Sequence, residues 1–219
     1  VRRAGGAREA AQIWDVNTPM LTASLAAADV DIVASDHGAD NLAGLVRQLG
    51  DMSAQADLVI TTGGISVGEE DHVKSAVRAL QGETLFSGVA IKPGKPVSVG
   101  RIGKAHWLGL PGNPVSAFVT WQVFGLALIR ALSGAGPAPT RRHVVTAGPI
   151  RRKPGRCELR PATLAGFDAH GREIVSFEDA THSARVGLLS RADGLMFLPA
   201  GAECLPAGAL VEFQPFCQS

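Results

Sequence analysis

The feature that most constrains the fold is a continuous apolar run at 57–62, which ends at Gly63 and Gly64. A strand that is apolar on both sides is typical of a parallel sheet covered by helices, because neither face of such a sheet meets water. Segments with helical periodicity flank this run at 41–55 and 71–80. Strands that alternate with helices at this spacing predict an α/β fold: three layers, with a mostly parallel sheet and helices on both faces.

The rest of the first half follows from the same patterns. A helix is predicted from Thr18, with Pro19 in its first turn, to about Asp29. The last helix of this half is predicted from Pro114 to about Leu132. Because it is apolar nearly all round, we expect it to be buried. Four strands are predicted at 31–35, 84–91, 96–102 and 106–110.

The pattern changes near residue 134. Residues 135–141 contain closely spaced glycine and proline, which predicts a linker. From 142 to 219, short strands separated by Gly, Pro and Asp predict a small, mostly-β, barrel-like domain. The α/β domain is therefore expected over 1–134. The strands of the second domain are predicted at 143–149, 157–165, 172–177, 194–198 and 209–214, with one short helix near 183–191.

Composition limits the class of protein. Lysine and arginine total 21 against 20 acids, and the net charge of +1 gives no support for nucleic-acid binding. Three scattered cysteines without C-x-x-C spacing argue against a disulfide framework or a zinc site, and they fit a reducing compartment. No apolar run approaches the roughly 20 residues that a membrane helix needs, and no signal-peptide pattern is present, so a cytoplasmic protein is expected.

Basic residues concentrate between Arg141 and Arg160, where seven of them face a single acid, Glu158. We interpret this stretch as the solvated edge of the β domain. The alternative is that it attracts an anionic substrate or a partner that delivers one.

The loop after the apolar strand, 61–71, reads T-T-G-G-I-S-V-G-E-E-D. Its glycines let the backbone turn sharply and approach a ligand closely. Glu69 and Asp71 stand at the start of the next helix, where acids complement the helix dipole. The functional alternative is that these carboxylates bind Mg²⁺ or ligand amines.

A second loop, 91–96, reads I-K-P-G-K-P. Pro93 and Gly94 suit the two central positions of a type II turn, which places the Cα atoms of Lys92 and Lys95 within about 7 Å. Two lysines at that distance are either solvated or hold an anion between them.

A third loop, 109–116, reads G-L-P-G-N-P-V-S. Asn113 is a good N-cap and Pro114 suits the first helical position, so the free N–H groups with Ser116 form an anion site. A capped buried helix needs the same residues. Because all three loops are predicted at strand ends, they together indicate a site for a phosphorylated ligand with a metal.

In this order, T-G-G-I-S-V-G-E-E-D, A-I-K-P-G-K-P and G-L-P-G-N-P-V-S-A resemble the molybdopterin molybdenumtransferase family, which includes the C-terminal domain of gephyrin. Q-I-W-D-V-N (12–17) is similar to the segment ahead of that family's first full helix. The resemblance is strong over about 12–134 and extends by layout to the β domain. It implies Mg²⁺-assisted insertion of molybdate into adenylylated molybdopterin, with release of AMP.

The resemblance also implies residue roles. Asp15 would be an acid near the substrate, while Glu69 and Asp71 would face the pterin and hold the Mg²⁺. Lys92 and Lys95 would hold anionic oxygens. The remaining binding residues would be Gly63, Gly64, Ser66, Gly68, Pro111, Gly112, Asn113 and Ser116, of which Gly112, Asn113 and Ser116 would lie at the phosphate end.

The resemblance further implies a homodimer and, as a partner, the adenylyltransferase that supplies the substrate. That adenylyltransferase is itself an alternative function, because it shares the α/β fold, although its chains usually end after that fold. A binding or scaffold module is the alternative outside enzymes. The family's T-G-D-E-type loop and its two N-terminal domains do not occur in this chain, so we expect a fragment whose sheet lacks one strand.

Overall fold

The computed structural model describes residues 1–2, 9–10, 12–26, 30–65, 72–136, 141–178 and 186–216. The chain divides into two compact units. The first unit is Val1–Gly88 with Pro96–Ile129, and the second unit is Val89–Lys95 with Arg130–Ser219. The segment Val89–Lys95, which the sequence analysis placed in the α/β domain, therefore packs with the C-terminal residues.

Helices and strands alternate through the first part of the chain, as the periodicity predicts. The helices are α1 (Asn17–Ala26), α2 (Leu42–Gln55), α3 (His72–Ala79) and α4 (Pro114–Thr120), which continues through a π-helical turn (Trp121–Gly125) into α5 (Leu126–Leu132). The strands are β1 (Leu58–Thr62), β2 (Glu83–Ser87), β3 (Ile91–Lys92), β4 (Ser98–Ile102) and β5 (Ala105–Leu110).

The sheet of the first unit has the strand order β1-β5-β4-β2. β1 is parallel to β5, but β4 is antiparallel to β5 and to β2. The expectation of a mostly parallel sheet is therefore wrong, and the described sheet is mixed. The reason is the two-residue turn at Gly103 and Lys104, where Gly103 has a φ of 59°. Such a turn joins antiparallel strands only.

The core of the first unit lies between the sheet and α2 and α3. Leu49 of α2, Val77 of α3 and Trp107 of β5 belong to one buried cluster. Successive side chains of a strand point to opposite faces, so the buried Leu108 and Leu110 face away from that cluster. α4 contacts β5 and α1, and its buried residues lie outside the cluster. The predicted α/β layering is thus confirmed.

Two expectations for this part of the chain are wrong. The predicted strand at 31–35 has no regular secondary structure, and Ile32 and Val33 are exposed, because the run has no strand partner among the described residues. The second wrong expectation is that no apolar run approaches the length of a membrane helix. Pro114–Leu132, with 19 residues and a mean hydropathy of 1.6, is long and apolar enough to cross a membrane by length and composition. Half of that helix is buried inside the protein, and a core helix has the same composition.

The second unit is a small barrel-like β structure, as predicted. Its strands beyond β3 are β6 (Arg142–Thr146), β7 (Ile150–Arg151), β8 (Cys157–Phe167), β9 (Glu173–Ser176), β10 (Gly194–Leu198), β11 (Cys204–Leu205) and β12 (Leu210–Pro215). Five of them follow the order β10-β12-β6-β9-β8, and the pairing of β10 with β8 closes the ring. The described part of the predicted helix near 183–191 is a 3-10 turn, Val186–Leu188.

Candidate functional site

Two of the predicted loops meet at one edge of the sheet in the first unit. β1 and β5 are parallel neighbours whose last residues, Thr62 and Leu110, lie side by side. The Gly63 N–H donates to the Leu110 carbonyl at 3.0 Å, and a β-carbon on Gly112 would lie 3.3 Å from the Gly63 Cα. Gly63 has a φ of 77°, which only glycine adopts at little cost. The loop after β1 and the loop after β5 therefore lie against each other.

The second of these loops leads directly into a capped helix. The Asn113 side chain accepts a hydrogen bond from the Ser116 N–H at 3.2 Å, and Pro114 occupies the first helical turn. This is the predicted N-cap. The Ser116 hydroxyl is 3.5 Å from the same Asn113 oxygen and is largely buried. One N–H of the helix start is thus satisfied by the protein, while Gly112 is exposed in front of it.

The D-V-N segment ahead of α1 reaches the same loop. The Asn17 side chain donates from Nδ2 to the Gly112 carbonyl at 2.9 Å. Two residues earlier, Asp15 accepts hydrogen bonds from the Thr18 N–H at 3.0 Å and the Thr18 hydroxyl at 2.6 Å. Asp15 is a predicted site residue, but Asn17 is not. No sequence pattern links Asn17 to Gly112, because the two residues are 95 positions apart.

Asp15 is held as a carboxylate. Burial by itself raises the pKa of Asp15, but the Thr18 hydrogen bonds and the nearby His37 outweigh it, so the pKa lies below its ordinary value of 3.8. His37 Nε2 is 3.7 Å from Asp15 Oδ2. The acid is therefore ionised at neutral pH and forms part of the first unit's loop edge.

The lysine turn lies in the second unit. β3 pairs in parallel with the start of β8, which brings Lys92 beside Glu158, with 3.7 Å between Nζ and Oε2. Lys95 is exposed, and its carbonyl accepts from the Val89 N–H at 2.9 Å. Gly94 has a φ of 105°, and the Lys92–Pro93 peptide bond is cis, whereas the predicted type II turn has a trans bond.

A buried charge cluster surrounds Glu158 in the second unit. Glu158 is 2% exposed and accepts from Arg160 Nε at 2.8 Å and from Arg152 Nε at 3.3 Å. Arg152 also donates to the carbonyls of Arg156, Pro199 and Ala202. Arg160 Nη1 is buried without a hydrogen-bond partner among the described residues. Lys92, Arg152 and Arg160 thus share one carboxylate, and Arg160 Nη1 has no acceptor among the described residues.

The arginine cations explain the state of the central carboxylate. Burial raises the pKa of Glu158, but the hydrogen bond and charge of Arg160, followed by Lys92 and Arg152, bring the pKa below its ordinary value of 4.5. The solvated-edge interpretation fits Arg141 and Arg142, which form exposed ion pairs with Glu212 and Glu173. It is wrong for Arg152 and Arg160. Alternation along β8 could not have shown this, because Leu159 on the opposite face is buried as well.

Four predicted site residues lie outside the described residues: Ser66, Gly68, Glu69 and Asp71. Within the described ranges no group of three or more His, Cys, Asp or Glu residues could hold a metal ion. Asp15 is the one predicted acid in these ranges, and its oxygens are engaged by Thr18. The predicted Mg²⁺ ligands, Glu69 and Asp71, lie outside these ranges.

Two family models match the chain. The model described as "Probable molybdopterin binding domain" matches residues 4–131, and the model described as "MoeA C-terminal region (domain IV)" matches residues 143–216. The first match covers more than half of the chain, so the chain belongs to the molybdopterin-binding domain family. The resemblance found in the three sequence motifs is confirmed.

Relatives match this chain either over both regions covered by the family models or over the first region alone. The chain is 33% identical over 210 residues to "Molybdopterin molybdenumtransferase 2" of Mycobacterium tuberculosis. This match covers 92% of this chain and 50% of the relative. It is 39% identical over 126 residues to "Molybdopterin molybdenumtransferase" of Haemophilus influenzae, covering 58% and 31%. The chain thus spans about half the length, or less, of these relatives.

A solved structure shares the whole fold. The molybdopterin biosynthesis MoeA protein from Pyrococcus horikosii is 25% identical, with a TM-score of 0.78 that covers 100% of this chain and 52% of that chain. A molybdenum cofactor biosynthesis protein from Pyrococcus furiosus, 20% identical with a TM-score of 0.69 over 91% of this chain and 64% of its own, shares the fold.

Proposed function

We propose that this chain provides the ligand-binding part of a molybdopterin molybdenumtransferase, which inserts molybdate into adenylylated molybdopterin and releases AMP. The observation that carries the proposal is the contact between the loops after β1 and β5 in the first unit. Ligands of open α/β sheets bind at the carboxyl ends of strands. Family membership and the M. tuberculosis relative, which is named for this reaction, support the chemistry.

The first unit supplies the groups suited to the phosphate end of the ligand. Gly63 and Gly112 expose backbone near each other without intervening side chains. The helix after Asn113 begins beside them, and the N–H groups at a helix start favour anions. Asp15, ionised at neutral pH, repels phosphate, so we assign it to a part of the ligand that carries N–H donors or to a Mg²⁺ ion also held by Glu69 and Asp71. When bound, that ion would neutralise phosphate charge.

The second unit supplies the groups suited to molybdate, an oxyanion. Lys92, Arg152 and Arg160 outnumber the one carboxylate that they share, and Lys92 is 48% exposed. An anion beside the half-exposed Lys92 would offset the excess positive charge of this cluster. Lys95 is proposed as a further point charge for the same oxyanion.

The proposal is tested by calorimetric titration of AMP, with and without Mg²⁺, into the wild-type chain and Ser116→Ala. We expect the wild type to bind AMP more tightly with Mg²⁺, and Ser116→Ala to bind it more weakly. Lys104→Ala, which changes an exposed lysine in the turn between β4 and β5, is the matched control and should bind like the wild type. Absence of AMP binding by the correctly folded wild type would contradict the proposal.

Molybdate binding is tested separately. Lys92→Ala and Arg160→Met should weaken it, whereas Lys153→Ala, at an exposed lysine of the same unit, should not. Equal molybdate affinity in all four proteins would exclude the Glu158 cluster as the oxyanion site without affecting the AMP result.

We also propose a cytoplasmic homodimer that receives its substrate from the adenylyltransferase. Two exposed apolar side chains of β2, Leu85 and Phe86, support the dimer, and Phe86 packs against Phe124 with 5.9 Å between ring centroids. Light scattering after gel filtration should report a dimer for the wild type and a shift toward monomer for Phe86→Ser. A wild-type monomer would refute this part.

A further inference from the structure

Asn17 contacts the proposed phosphate loop directly. We infer that Asn17 is a positioning residue of this site, which sets the path of the loop Pro111–Asn113 through its hydrogen bond to the Gly112 carbonyl. The inference rests on the proposed function, because it gives that loop a ligand. Its evidence is the hydrogen bond at 2.9 Å from Asn17 Nδ2, together with the buried Asn17 Oδ1, which has no hydrogen-bond partner among the described residues.

The geometry makes Gly112 dependent on Asn17. Gly112 has no side chain, and its backbone N–H and carbonyl are the groups that the loop offers. A carbonyl fixed at its oxygen also fixes the plane of the peptide between Gly112 and Asn113. The Asn113 N–H belongs to that peptide, and the Asn113 side chain caps the next helix. A change at Asn17 therefore moves the Asn113 N–H and the start of the capped helix, which are the groups that would face a phosphate.

The second observation is that one polar atom of the Asn17 side chain lacks a hydrogen bond, which does not suit a purely structural role. Asn17 is 7% exposed, and its Oδ1 is buried without a hydrogen-bond partner among the described residues. A buried unpaired oxygen costs stability, whereas an apolar side chain of similar volume would avoid that cost. The hydrogen bond gained at Nδ2 and the penalty at Oδ1 oppose each other. The side chain thus adds little to stability while it defines the loop.

Asn17→Leu separates the two roles. It removes the donor for Gly112 and also the unpaired Oδ1, so its melting temperature should stay close to that of the wild type. Its AMP affinity should fall about five- to tenfold, the equivalent of one positioning hydrogen bond. The matched control is Asn41→Ala, which removes the α2 N-cap, where Asn41 accepts from the Gly44 N–H at 2.8 Å. That variant should melt earlier and bind AMP normally.

Asn17→Asp adds a pH readout. At neutral pH its carboxylate would point an acceptor at the Gly112 carbonyl and push the loop away. On acidification the carboxyl group takes up a proton and can donate to Gly112, so the ratio of variant to wild-type Kd for AMP should fall toward one. A ratio that does not change with pH would contradict the inference.

Calorimetric AMP titration and circular dichroism melting of these four proteins decide the question. A folded Asn17→Leu that binds AMP like the wild type overturns the inference, as does unfolding of both Asn17 variants, which would make the residue structural. A wild type that is folded but binds no AMP overturns the proposed function, and this inference with it. Loss of affinity in the Asn17 variants alone supports both.

Discussion

Replacement of Glu158 by glutamine should destabilise the second unit strongly, because Glu158 is the one carboxylate among three cations. The change keeps the shape of the side chain and one acceptor oxygen, but it removes the negative charge. Arg152 retains the Pro199 and Ala202 carbonyls, and the half-exposed Lys92 is solvated. Arg160 is 4% exposed and keeps no charge partner, so the cost falls mainly on this residue.

The magnitude follows from that one buried, unpaired guanidinium. Breaking a buried ion pair by removing one partner costs about 3–5 kcal/mol. The remaining amide oxygen places Glu158→Gln at the low end, about 3 kcal/mol. Urea unfolding followed by far-UV circular dichroism near neutral pH measures it. Glu158→Gln/Arg160→Met should recover most of the loss, because a buried ion pair replaced by apolar groups is often nearly neutral.

The same variant should change the acid profile of stability. The pKa of Glu158 is lowered in the folded protein, so its stabilisation is complete above the ordinary value of 4.5 and is lost as the pH falls through the lower folded-state value. Glu158→Gln should show a flatter decline in that window. A loss below about 1 kcal/mol, the range of exposed ion pairs, would refute the reasoning. A double variant less stable than Glu158→Gln would refute it as well.

Three other changes have defined outcomes. Gly125→Ala should lower the free energy of unfolding by about 1–3 kcal/mol in urea titration, because its β-carbon would lie 2.1 Å from the Trp121 ring; an unchanged midpoint would contradict this packing. Gly63→Ala should lower the free energy of unfolding by about 1 kcal/mol, because alanine is strained at a φ of 77°. A more stable variant would show that the loop has a different backbone. Asp15→Asn should flatten the acid unfolding curve below the ordinary pKa of 3.8, where the wild type loses the stabilisation of its ionised Asp15; superimposable curves would rule this out.

Elements that depend on local chemistry follow from the amino-acid sequence alone. Asn113 caps its helix where the N-cap pattern predicts it, and β1 ends at the glycines that follow its apolar run. The family also follows from sequence, because three short motifs in a fixed order are specific. The two-residue turn at Gly103 and Lys104 was readable too, as a glycine-initiated hairpin signal, and would have predicted the antiparallel strands.

Contacts between distant segments could not be predicted from the sequence. The run at 31–35 is as apolar as a strand but finds no strand partner in the described sheet, and periodicity cannot report a missing partner. Lys92 joins the second unit because β3 pairs with β8, and Arg160 is buried because β8 turns that face inward. Asn17 reaches Gly112 across 95 positions. Strand pairing and side-chain burial depend on non-local contacts, and such contacts shape both the phosphate loop of the first unit and the Glu158 cluster of the second unit.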